Sequence, residues 1–80
     1  MSQSVFLEAL LLPLTQVSFQ HPVRGLVCGV ISRHYSTNSR RLSTHPNGLV
    51  YVIDVSCPNR GLIQFVKQPS DISVIEYVNQ

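Results

Sequence analysis

The chain has 80 residues, a formal charge of +2, an apolar share of 44 % and no tryptophan. That length allows one small domain that buries only about 60% of its unfolded surface, and the apolar share excludes a wholly disordered polypeptide. Charge is divided unevenly: Arg24, Arg33, Arg40 and Arg41 stand against Glu8 in residues 1–53, and Arg60 and Lys67 against Asp54, Asp71 and Glu76 in residues 54–80.

Ser4 is placed to cap a short helix over Val5–Leu12, with Glu8 in the early turns where the helix dipole favours an acid. Phe6, Leu7, Leu10, Leu11 and Leu14 approximate its apolar stripe, and Pro13 ends it. The apolar run Val5–Leu14, broken by Glu8 and Pro13, falls short of the about 20 residues that span a bilayer. It also lacks the cationic start of a secretory signal. With no such signal ahead of them, Cys28 and Cys57 read as free thiols rather than a disulfide.

Val17–Phe19 is too short to assign, and His21-Pro22 interrupts it. Val23, Leu26, Val27, Val30 and Ile31 then recur at helical spacing, yet Gly25–Ser32 also reads as a Val/Ile-rich strand. Gly25 and Gly29 weaken the helix by about 1 kcal/mol each, so the strand is preferred. Ser32–Gly48 is rich in Ser, Thr, Asn, Arg and His with one aliphatic residue, Leu42, and ends in the turn signal His45-Pro46-Asn47-Gly48. It reads as a polar loop or linker, longer than usual in a compact domain.

From Leu49 the pattern changes. Leu49, Tyr51, Ile53 and Val55 share one face of a β-branched, aromatic strand. Cys57-Pro58-Asn59-Arg60-Gly61 supplies a turn, Leu62–Lys67 a second strand, Gln68–Asp71 another turn and Ile72–Val78 a third strand. The expected architecture is α+β. It comprises an apolar segment over 1–31 with a short N-terminal helix, a polar loop over 32–48, and a three-stranded antiparallel β-meander over 49–80. A sheet of about 30 residues must cover its apolar face, either with that helix, with a protein partner or by self-association.

Two short patterns carry chemistry. Arg33-His34-Tyr35-Ser36 resembles the cleavage pattern of mitochondrial presequences, with Arg two residues before the aromatic that precedes the cut. The resemblance implies processing at Arg33, Tyr35 and Ser36, in an acid-free Arg/Ser/Thr background. Against it, the first twenty residues hold no cation, and Arg24 and Arg33 share no helical face. Arg40-Arg41-Leu42-Ser43 resembles a basophilic kinase site with Ser43 as the acceptor.

Other constellations are weaker. His21, Cys28, His34, His45 and Cys57 lack the paired short spacings of a metal site. Cys57, His45 and Asp54 make a nucleophile–base–orienter trio only on paper, with no nucleophile elbow or phosphate loop nearby. Arg33, Tyr35, Arg40 and Arg41 fall short of a nucleic-acid footprint. The expectation is therefore a small non-enzymatic protein without cofactor or metal, cytoplasmic or mitochondrial, acting as an interaction module. A mitochondrially targeted polypeptide and the product of a chance or fragmentary reading frame are the alternatives.

Overall fold

Five antiparallel strands and a single 3-10 turn make up the regular structure of residues 10–76, the part of the chain described by the computed structural model. They are β1 (Gln16–His21), β2 (Gly25–Ser36), β3 (Leu49–Cys57), β4 (Gly61–Lys67) and β5 (Ile72–Glu76), with the 3-10 turn at Pro69–Asp71. The strands form one sheet in the order β4-β3-β2-β1-β5.

Local chemistry explains the hairpins. The three consecutive hairpin connections end in related sequences: His21-Pro22-Val23-Arg24-Gly25-Leu26-Val27, His45-Pro46-Asn47-Gly48-Leu49-Val50 and Cys57-Pro58-Asn59-Arg60-Gly61-Leu62-Ile63. In each, proline presets φ early in the turn and glycine takes a positive φ late: +76° at Gly25, +71° at Gly48 and +74° at Gly61. His21 pairs with Gly25 and Cys57 with Gly61, so two of the loops have three residues and lock the register of the strands they join.

The sheet order forces curvature. β4 and β5 lie at opposite edges but are joined by only Gln68–Asp71. In a flat sheet four strand spacings would separate them by about 19 Å. The steps from Lys67 to Ile72 reach about 17 Å when fully extended, and the 3-10 turn shortens them further. The sheet therefore curls into an open barrel. The Phe19 and Phe65 rings, on β1 and β4, meet across its interior at 5.2 Å between centroids, and the Lys67 ammonium lies 5.1 Å from the Phe19 ring centroid.

β2 bridges the two halves of the curl. Its first part, Gly25–Val30, pairs with β1, and its second, Val30–Ser36, pairs with β3 past a register shift between Ile31 and Arg33. The interior gathers Val17, Phe19, Val27, Ile31, Tyr51, Ile53, Val55 and Cys57, with Leu11, Leu49, Ile63, Phe65, Ile72 and Val74 packed around them. All five strands contribute. The sheet covers its own apolar face.

Several sequence expectations are corrected here. The architecture is all-β rather than α+β, and the described residues contain no α-helix. Of the helix expected over Val5–Leu12, residues 5–9 lie outside the described residues, and Leu10–Leu12 are not helical. This segment satisfies its backbone on the sheet instead. The Leu11 amide donates to the Tyr51 hydroxyl at 3.0 Å and the Leu14 amide to the Ile31 carbonyl at 2.8 Å. Pro13 and Leu14 form a turn closed by the Thr15 amide on the Leu12 carbonyl at 3.2 Å, with Leu14 at φ +75°.

The three-stranded meander is also corrected. The hairpin over 49–67 is present, but β5 leaves β4 and pairs with β1, with Phe19 opposite Ile72 and Val17 opposite Val74. The 3-10 turn redirects the chain, and β1, unassigned in the sequence, supplies the partner edge. The expected third strand ended at Val78; Tyr77 and Val78 lie outside the described residues.

Nor is Ser32–Gly48 a loop throughout. Ser32–Ser36 completes β2, so the expected boundary between 31 and 32 falls within a strand. Residues 37–48 form an organised loop, closed by the Thr37 amide on the Gly48 carbonyl at 2.8 Å. The ambiguous stretch 23–32 is a strand from Gly25, with Val27 and Ile31 turned inward.

Candidate functional site

The residues of the processing pattern lie in the second half of β2, opposite β3: Arg33 faces Val52, Tyr35 faces Val50 and Ser36 faces Leu49. The Arg33 guanidinium carbon lies 5.6 Å from the Tyr35 ring centroid, a cation–π contact on the outside of the sheet. A protease needs its substrate extended and unpaired, and here the segment is held in a ladder. A cut between Tyr35 and Ser36 would also separate Val17, Phe19, Val27 and Ile31 from the rest of the core.

Ser43 lies in the loop between β2 and β3, and only 1% of its surface is exposed. Its hydroxyl donates to the Leu49 carbonyl at 2.8 Å and accepts from the His45 amide at 3.1 Å. A kinase acting on Ser43 would first have to open that loop. The loop is tied further to the start of the 3-10 turn, because the Thr44 amide and hydroxyl donate to Gln68 Oε1 at 2.8 and 3.0 Å. Thr44, His45, Gln68, Pro69 and Ser70 line a shallow depression there.

The paper trio is dispersed. Cys57 ends β3 inside the core, whereas His45 lies before the opposite end of that nine-residue strand, which is itself about 26 Å long. Asp54 sits on the outer face and accepts from Gln64 Nε2 at 2.9 Å. Among the described residues no three His, Cys, Asp or Glu side chains converge as a metal site would require. Cys28 is exposed and Cys57 buried, both as free thiols. No helix among the described residues is long and apolar enough to cross a membrane.

Two surface features stand out that the sequence reading did not collect. The first is the outer edge of β4, Gly61–Lys67, which has β3 on one side and, among the described residues, no strand on the other. It carries a single charge, Lys67, and exposes Leu62 and Val66 at its surface. Edge strands this long are usually guarded by charge, proline or a bulge.

The second is the end of the barrel where the β1–β2 and β3–β4 turns come together. Arg24 Nη1 donates to Cys57 Sγ at 3.0 Å, tying the first turn to the base of the second. Val23 is 87% exposed at this end, with Leu26 and Leu62 next to the turns. The signal for it was present in the sequence as the shared Pro-x-Arg-Gly-Leu string at Pro22–Leu26 and Pro58–Leu62.

These features define a small curled all-β module whose accessible chemistry lies at a strand edge and at its turns. Comparison with protein-family models, with curated proteins and with solved structures finds no match to this chain.

Proposed function

We propose that the chain is a small non-enzymatic interaction module that receives an extended strand of a partner along the open edge of β4. The observation that carries this reading is the seven-residue β4 edge, uncharged up to Lys67 and flanked by exposed Leu62 and Val66. Backbone hydrogen bonds would supply affinity, and side chains on alternate positions would supply selectivity. The apolar face of the sheet, earlier the expected docking surface, is closed on itself, which leaves the edge to play that role.

A second copy of the chain is the simplest strand donor, since β4 against β4 gives a two-fold, self-complementary contact. Support for a selected fold over a chance reading frame comes from agreement between levels. Turn chemistry, strand alternation and core membership all specify the same register. The presequence reading gains no such support, because its cut site divides the core.

Sedimentation of the purified chain over a dilution series tests the proposal. A monomer–dimer equilibrium is expected, shifted to monomer by the double change Gln64→Lys and Val66→Lys with an unaltered circular dichroism spectrum. A wild-type chain that stays monomeric at every concentration removes the edge-pairing reading.

A further inference from the structure

We propose that the end of the barrel formed by the β1–β2 and β3–β4 turns docks on an anionic membrane surface. It shares Leu62 with the start of β4 but does not depend on strand addition along that edge. Val23 is 87% exposed, Leu26 63% and Leu62 65%, which puts three large apolar side chains in water at or beside two adjacent turns. Arg24 and Arg60, both exposed, occupy equivalent positions in those turns. Of the described acids, none lies in either turn: Asp54 is engaged by Gln64 on the outer face, Asp71 is in the 3-10 turn and Glu76 ends β5.

Shape decides between partners of complementary charge. The turns are convex, and their backbone is committed to closing hairpins, so they offer an acidic peptide neither a groove nor a free strand edge. A bilayer interface needs no matching groove. It accepts protruding apolar side chains at the acyl boundary and arginine at the level of the phosphates. Pro22 and Pro58 restrict the turns, and the Arg24–Cys57 contact holds them together, so little conformational freedom is lost on docking. Three apolar side chains and two cations make a reversible contact that salt weakens.

The chain lacks tryptophan, so Val23→Trp places a sole tryptophan reporter at the proposed contact. Vesicles of phosphatidylcholine mixed with phosphatidylserine are expected to shift its emission to the blue and to co-sediment the protein. Phosphatidylcholine alone should do neither, and added salt should reverse the effect. Arg60→Gln, remote from the core, is expected to weaken vesicle binding about fivefold, and Leu62→Asp to abolish it while circular dichroism is preserved. The proposal is overturned if mixed vesicles leave the emission unchanged, or if Arg60→Gln and Leu62→Asp bind as the parent does. It is equally overturned if polyglutamate captures the protein and vesicles do not, which would assign this end to an acidic polypeptide. Vesicle binding is read separately from dimerisation, so either reading can fail without the other.

Discussion

At the scale of single residues, Gly48 shows how one position can fix a loop. Its φ of +71° lies in the left-handed region, and a Cβ built there would come 2.1 Å from the Thr37 carbonyl oxygen. That approach accompanies the Thr37 amide on the Gly48 carbonyl, which closes the 37–48 loop. Gly61 has a similar φ of +74° but open space around it. The two alanine substitutions should therefore differ. Gly61→Ala is expected to cost about 1 kcal/mol for the backbone conformation alone, whereas Gly48→Ala adds a clash with main chain and should cost more than about 3 kcal/mol. Urea denaturation of both variants checks this, and equal costs would refute the steric argument. Ser43 belongs to the same loop: an acceptor by its sequence context, it is in the fold a buried hydroxyl bridging Leu49 and His45.

At the scale of elements, the segment before β1 is held by a few specific bonds rather than by helix formation. Tyr51 is buried in β3, and its hydroxyl accepts the Leu11 amide forty positions earlier in the chain. Tyr51→Phe keeps the ring in the core and removes only that acceptor. A loss of about 1 kcal/mol is expected, together with faster hydrogen exchange at the Leu11 amide and unchanged protection in β3. Unchanged exchange at Leu11 would show that the segment is held by packing alone. The apolar spacing of Leu10, Leu11 and Leu14 suited a helix, but Pro13 and the offered Tyr51 hydroxyl favour a turn against the sheet. Likewise Ser32–Ser36 has a loop-like composition, and it is a strand because β3 supplies partners for its backbone groups. Strand preference is a weaker influence than satisfying those groups.

At the scale of the whole molecule, the core is not divisible at the proposed processing site. Residues before the cut contribute Val17, Phe19, Val27 and Ile31 to the buried cluster. Truncating a single buried large side chain typically costs about 2–5 kcal/mol, and a domain of this size has only about 4–12 kcal/mol of total stability. The fragment spanning residues 36–80 is accordingly expected to be unfolded, with no β signal by circular dichroism and no cooperative melting. A folded fragment would restore the presequence reading. The long-range pairing of β1 with β5 explains why the cut is so disruptive, since β5 then loses the one strand it pairs with among the described residues.

Short-range chemistry sets the hairpin from Leu49 to Lys67, its inward face, and the proline–glycine turns at His45–Gly48 and Cys57–Gly61. Those follow from side-chain alternation and from backbone angles that proline and glycine set within a few residues. Tertiary structure alone decided that β5 joins β1, that a serine- and arginine-bearing stretch becomes half of the longest strand, and that Arg24 reaches Cys57. Each of these joins residues far apart in the chain. Their pairing depends on which edges and surfaces remain free once the local hairpins have formed, and no short window of residues contains that information.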